Sequence, residues 1–195
     1  MRQGTIVIVP AAGAALSVAD ARRQVRIDPD DTNQDEHLAA LCAGAQRMVE
    51  GELGYPILRQ TRQTHLHGFP CGPIWLGGGA GLSVSELRYF DRGGDPQILA
   101  SADYLVDAVS RPAAITPAPF RTWPSTQRRP GAVVIDWQAG WASADDVPQD
   151  LLHAMRLLVG HWDQNREAVV VGTISSAIQM SVDALLDPWR IRSFG

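Results

Sequence analysis

Lysine is absent from this chain: all 17 of its basic residues are arginine. Nucleotide composition is the plainest source of that bias, although arginine also suits interfaces, because its planar fork pairs bidentately and is less strongly hydrated than an ammonium. Positive charge is not in excess either. Against 21 acidic residues the formal net charge is −4 and the isoelectric point about 5.7, so the chain lacks the basic footprint of a protein that wraps nucleic acid. Cysteine is scarce, at two residues. Cys42 falls on the apolar face of an expected helix and Cys71 in a Pro/Gly loop, which favours a reduced chain made in the cytoplasm over a disulfide framework. No apolar run approaches the roughly 20 residues of a membrane-spanning helix. The N-terminal MRQGTIVIVPAAGAALSVAD has a single positive residue ahead of its apolar stretch. Pro10 interrupts that stretch, so it reads as a mobile or edge-pairing arm rather than a signal peptide. There is no internal repeat and no low-complexity segment.

Apolar residues are plentiful, at 45% of 195, enough for the core of one compact domain with an arm. Two long helical stripes stand out. The stretch 148–166 opens with Pro148, whose missing N–H suits the first helical position, followed by Gln149 and Asp150 in the positive first turn. Leu151, Leu152, Met155, Leu158, Val159 and Trp162 then recur at the i, i+3, i+4, i+7 spacing of one buried stripe. The stretch 33–53 carries Leu38, Leu41, Cys42, Ala45, Met48, Val49 and Leu53, and is closed by Gly54 and Pro56. These two stripes are expected to bury each other. A shorter helix over 17–26 has Ser17 as its N-cap and Asp20 at the capping-box position.

Between the two long helices the period changes to two. ILRQTRQTHLH, residues 57–67, sets Thr61, Gln63, His65 and His67 on one face and Leu58, Arg62 and Leu66 among the other. Neither face is strongly apolar, so an exposed or interfacial strand is expected. Short strands follow over 74–76, 82–90 and 97–106, the last two joined by DRGGD as a hairpin. Residues 111–130 hold five prolines and read as an ordered excursion or mobile loop, and AVVIDW, residues 132–137, is a final strand. Beyond the last long helix come a linker over 173–180, a short helix over 181–186 and the tail DPWRIRSFG. The fold class expected is α+β: mainly an α-helical core, a helix bundle, with an inserted small antiparallel β-sheet and an extended terminal arm and tail.

The candidate chemistry is thin. His65, His67 and Cys71 invite a metal site, but zinc needs further ligands at matching spacing, and neither C-x-x-C nor H-E-x-x-H occurs. The run GGGAG at 77–81 lacks the Lys-Ser/Thr of a phosphate loop and reads as a flexible loop. His161 with Asp163 or Glu167 could be drawn as an acid/base pair, yet no nucleophile motif accompanies them, and helix-end capping is the plainer reading. The tail differs in kind. Trp189, Ile191 and Phe194 interleave with Arg190 and Arg192, the composition of a docking segment in which aromatics supply buried area and arginine supplies paired charge. The alternative is that the tail folds back on its own core.

Taken together, SVADARRQVRID, LAALCAGAQRMVEGELGYPIL with RQTRQTHLHGFP, SVSELRYFDRGG with DYLVD, RPGAVVIDWQAGW, VPQDLLHAMRLLVGHWDQNREAV and VDALLDPWR resemble the head–tail connector (adaptor) family of long-tailed phages and phage-derived gene transfer agents. The resemblance spans about residues 16–192, and it rests on the order of the whole set rather than on one motif. It departs at the glycine run before the hairpin, where prolines would be expected, and in the apolar N-terminal arm.

The resemblance implies a non-enzymatic virion or phage-like particle protein with no cofactor and no metal. Its subunits would form a homo-oligomeric ring, expected to be a dodecamer, beneath the portal at the capsid vertex. The implied partners are further copies of itself, the portal protein, the stopper or next connector protein, and DNA that passes through the channel without sequence-specific binding; no membrane is implied. A mildly acidic subunit suits such a conduit, because an attractive wall would hold the passing strand. On this reading residues 1–16 are an arm, 17–180 the connector domain with a β-rich insertion at about 57–137, and 181–195 the docking segment. Trp189, Arg190, Ile191, Arg192 and Phe194 are the candidate portal contacts, and Arg62, His65, His67, Trp162 and Arg166 the candidate subunit-interface residues. The competing class is a metal- or acid/base-dependent enzyme built on His65, His67, His161 and Asp163.

Overall fold

The computed structural model describes residues 3–165 and 176–191. In chain order the elements are β1 (Gln3–Val9), α1 (Val18–Val25), α2 (Asp35–Leu53), β2 (Gln60–Leu66), β3 (Ile74–Leu76), β4 (Ser83–Phe90), β5 (Pro96–Ile98), β6 (Tyr104–Asp107), β7 (Ala113–Pro117), β8 (Val133–Ala139), α3 (Gln149–Gln164) and α4 (Ser176–Leu186). They sort into two compact units. One holds Met1–Ala11, Arg59–Gly140 and Ile191–Gly195, and the other Ala12–Leu58 and Trp141–Arg190. The architecture is α+β, but at 34% helix and 26% strand the core is not mainly helical: the strands build a core of their own.

That β core lies between two antiparallel sheets, one of five strands in the order β1-β2-β8-β4-β5 and one of three in the order β3-β7-β6. The central strand β8 alternates buried Val133, Ile135, Trp137 and Ala139 with half-buried residues, the period-two signature of a sheet with one face packed. Leu66, Leu87, Ile74, Leu76, Tyr104 and Ile115 meet them in one cluster.

Several expectations change here. β2 is not an exposed strand: it is paired on both sides, to β1 and to β8, and Gln60, Thr64 and Leu66 are buried. Its polar residues go inside because they are satisfied there. Thr64 Oγ1 accepts from the Trp137 indole N–H at 2.9 Å and lies 2.9 Å from Thr5 Oγ1, so its burial carries no unpaired-polar penalty. The stretch 97–106 is two strands in different sheets, β5 and β6, separated by the 3₁₀ turn Ser101–Asp103. The proline-rich stretch contains β7, whose Ala113, Ala114 and Ile115 are buried, with Pro112 and Pro117 at its margins, where a missing N–H interrupts the ladder least.

In the other unit several helix ends have a local cause. Ser17 caps α1 by accepting from the Asp20 N–H at 3.0 Å. α2 ends at Gly54, whose φ of 77° lets its N–H return to the Glu50 carbonyl at 2.9 Å. Pro148 sits one residue before α3 rather than in its first turn, and its carbonyl accepts from the Leu151 N–H at 3.1 Å. α3 packs against α1, α2 and α4, burying Leu151, Met155, Leu158 and Val159 while Leu38, Cys42, Ala45 and Val49 of α2 are buried as well. Gly44 belongs to this packing: a Cβ there would lie 3.3 Å from Cζ3 of Trp162, tighter than most carbon contacts. α4 begins at Ser176, so residues 176–180 are helical rather than linker.

Leu158 is fully buried in α3. Leu158→Ala should lower unfolding stability by about 2–5 kcal/mol, the usual range for a core cavity, and a denaturant titration reads this directly.

Candidate functional site

The tail is anchored at its root. α4 ends at Leu186 and runs into the 3₁₀ turn Asp187–Trp189, with Pro188 near its start. The Tyr55 hydroxyl donates to the Trp189 carbonyl at 2.8 Å, and the Trp189 ring meets Trp141 edge to face at 6.0 Å between centroids. Arg190 donates to Glu52 Oε2 at 2.8 Å and to Asp183 Oδ1 at 2.5 Å, clasping the end of α2 to α4. That hydrogen bond from Arg190 holds the Asp183 carboxyl below its ordinary value of 3.8, while the same contact raises the Arg190 guanidinium. Of the two expectations for the tail, a free docking segment or a fold-back on its own core, Trp189 and Arg190 follow the second, because the aromatic ring and the fork both find partners on the helices. Ile191 is half-buried, and Arg192 and Phe194 lie outside the described residues.

The candidate interface residues separate by face. Arg62 lies on the core side of β2, with its guanidinium 5.9 Å from the Trp137 ring centroid and bonded to Gln60 Oε1 at 3.2 and 3.3 Å. His65 and His67 lie on the opposite face and line a shallow depression with Gln3, Gly4, Pro130 and Gly131. Asp136 centres that face, accepting from Gln63 Nε2 at 2.6 Å and from Arg88 Nη2 at 2.5 Å. Trp162, in the helical unit, is half-buried over Gly44, and Arg166 lies outside the described residues.

His161 and Asp163 line a hollow with Gln24, Arg26 and Ile178. They are not paired with each other in the contacts observed: Asn165 donates to the His161 carbonyl at 2.8 Å, closing the helix, and Asp163 Oδ1 stands 3.5 Å from His37 Nε2. His65 and His67 belong to one unit, and His161 and Asp163 to the other. Among the described residues no group of three or more His, Cys, Asp and Glu could hold a metal ion. The Cys42 thiol is pushed up to about 11 by burial, so it stays protonated and unreactive at neutral pH.

Of the exposed apolar features, the N-terminal run was expected as a mobile or edge-pairing arm and pairs as the edge strand β1, whereas Ile98 and Phe120 were not singled out from the sequence. All seven residues of β1 are exposed, with Ile6, Val7, Ile8 and Val9 near half exposure. Ile98 on β5 is 67% exposed. Phe120 is fully exposed and takes a φ of 63°, an uncommon conformation for a bulky residue, in a turn closed by the Arg121 N–H on the Ala118 carbonyl at 2.9 Å. For β1 the signal was available, since residues 4–9 hold no charge. For Ile98 and Phe120 it was not, because composition does not tell which lone apolar residue stays outside.

No protein-family model matches the chain, and no curated protein matches it in sequence. Among solved structures, a chain from the virion of a native gene transfer agent particle aligns with a TM-score of 0.76 at 23% identity, over 98% of this chain and 97% of that one. A chain from the neck of an empty gene transfer agent particle, computed with C6 symmetry, aligns with a TM-score of 0.75 at 25% identity, over 100% and 98%. This chain shares its fold with gene transfer agent neck chains. A third match, from the neck of a native gene transfer agent particle computed with C12 symmetry, has a TM-score of 0.66 at 24% identity over 100% and 98%. No helix among the described residues is long and apolar enough to cross a membrane.

Two predictions follow from these contacts. Because the Asp183 carboxyl is held below 3.8 in the folded chain, its contribution is fully present above that value and is lost as pH falls through the lowered one. Arg190→Ala should therefore lower the melting temperature at neutral pH and shrink the further fall seen on acidification below 3.8. Separately, the double change His65→Ala, His67→Ala should leave the melting temperature insensitive to zinc and to chelator, as in the parent; a zinc-dependent rise in the parent alone would restore a metal site.

Proposed function

We propose that this chain is a structural subunit of the neck of a phage-like particle: a head–tail connector that assembles as a homo-oligomeric ring beneath the portal. In this reading the ring joins the DNA-filled head to the next, stopper-side connector and borders the channel through which DNA passes. The observation that carries it is the end-to-end match to a neck chain, in which 100% of this chain and 98% of the other align at a TM-score of 0.75. The match covers both chains almost completely. C6 and C12 symmetry in the neighbouring necks supports a ring of this chain, for which a dodecamer is the proposed form. The acidic balance of −4 fits a wall that does not hold DNA.

The portal contact is assigned to the tail, Trp189 to Phe194. Trp189 and Arg190 set the point and direction at which the chain leaves the helices, through the Tyr55 hydrogen bond and the Arg190 clasp. Arg192 and Phe194 would then make the contact itself. Repeated around a ring, a small contact suffices, since one seated tail raises the effective concentration of the rest. The enzyme reading on His65, His67, His161 and Asp163 gains no support from a specific observation.

Removing residues 192–195 should leave a folded chain that keeps the Tyr55 and Arg190 contacts, as circular dichroism reads, while DNA-filled heads accumulate without tails in producing cells. Tailed particles at normal yield would move the docking site elsewhere. Removing residues 189–195 should in addition lower the melting temperature, as the Tyr55 and Arg190 contacts go with it.

A further inference from the structure

The five-stranded sheet has two open rims, β1 at one and β5 at the other. Edge strands usually carry lysine, proline or inward charge that discourages pairing with another chain. β1 carries none of these: residues 4–9 are uncharged and every residue of the strand is exposed. Its one irregularity is a register shift between Val7 and Val9.

Side-chain direction follows from the pairing. Ile6 stands opposite Gln63, which stands opposite Asp136, which stands opposite Glu86; Gly4, His65, Val134, Arg88 and Ile98 form the adjacent row. Directly opposed residues share a face, so Ile6 and Ile98 lie on the same side of the sheet, the side away from its core. Past the register shift Val9 stands opposite Thr61 and joins them. The middle of this face is polar and internally bonded through Gln63, Asp136 and Arg88. Its two rims are aliphatic, with Ile6 at 51%, Val9 at 53% and Ile98 at 67% exposure.

We propose that β1 of one copy adds to the β5 rim of the next copy, so that the sheet continues from subunit to subunit around the ring and Ile6 and Val9 cover the neighbour's Ile98. The inference rests on the ring reading above. Strand direction agrees with a repeating contact. Every neighbouring pair in the five-stranded sheet is antiparallel, so the first and fifth strands run the same way and a rotated copy meets its neighbour in parallel. A contact between two different rims is head-to-tail and propagates, whereas β1 against β1 would stop at a two-fold dimer. Size agrees as well. The three exposed aliphatic side chains Ile6, Val9 and Ile98 amount to on the order of a few hundred Å², short of the roughly 800 Å² per partner of a stable pair. β5 adds little ladder, being three residues long and starting with Pro96. Such a contact is too weak for an isolated dimer and adequate in a closed ring, where each copy makes it twice.

The test places single cysteines at both rims, Ile6→Cys with Ile98→Cys and, for register, Val9→Cys with Ile98→Cys, in a Cys71→Ser chain so that the exposed native thiol is gone; Cys42 is buried. Particles are purified from producing cells, oxidised mildly and run on non-reducing gels. At least one pair should give a ladder of covalent multimers that collapses with reductant, while chains carrying one new cysteine run as monomers. Monomers throughout, from necks whose mass shows several copies, would overturn the β1–β5 contact and leave the ring intact. Dimers from Ile6→Cys alone would mean β1–β1 pairing, and a crosslink to a different particle protein would mean another occupant; either overturns it. Necks with a single copy would end the ring reading itself. A second arm needs no crosslink: Ile6→Glu should cut particle yield at least tenfold with unchanged melting of the purified chain, and Ile98→Arg in the same chain should restore most of it. Full yield from Ile6→Glu, or no rescue, counts against the contact.

Discussion

The indole N–H of Trp137 is buried in the middle of the β core and donates to Thr64 Oγ1, which in turn meets Thr5 Oγ1. A buried donor without a partner costs about 1–3 kcal/mol, so this chain of groups sets the register of β8 on β2 and of β2 on β1. A one-residue slip would turn Val133, Ile135 and Trp137 out of the core and bring Asp136 in. Everything placed on the opposite face follows from that choice: Asp136 between Gln63 and Arg88, the two histidines of β2, and the aliphatic rims.

The helical unit is organised in the same way around α3, with a different result. Its buried stripe meets three other helices, and its last turn presses Trp162 on Gly44. The root of the tail is bonded to the same body through Tyr55, Glu52 and Asp183. Aromatic and arginine residues that compose well for docking are therefore partly spent inside the subunit. Unspent apolar surface in the other unit includes β1, Ile98 and Phe120. The aliphatic rims at β1 and Ile98 leave apolar surface open to other chains.

Several elements were legible in the sequence for reasons that are local. The stripes of α2 and α3 follow from 3.6-residue periodicity, the end of α2 from Gly54, and the hairpin at Asp91 from an aspartate whose carboxylate accepts from the Gly93, Gly94 and Asp95 N–H groups at 2.9, 3.0 and 3.1 Å. Those N–H groups also hold the Asp91 carboxyl below its ordinary value. The absence of a nucleophile motif and of zinc spacing was equally a matter of residues in order.

What tertiary structure alone decided was where polar and apolar residues with no strong local signal would go. Thr64 reads as surface and is buried, because the Trp137 indole donates to it across the β2–β8 pair from 73 residues away. β7 is a strand inside a proline-rich stretch because β3 and β6 lie on either side of it. The tail read as either free or folded back, and Trp189 and Arg190 are bound, since Tyr55, Glu52 and Trp141 reach them only once the helices have packed. Periodicity and capping act within a few residues and are written in the sequence; the partner of a buried polar group is supplied by a distant segment, and only the folded chain brings the two together.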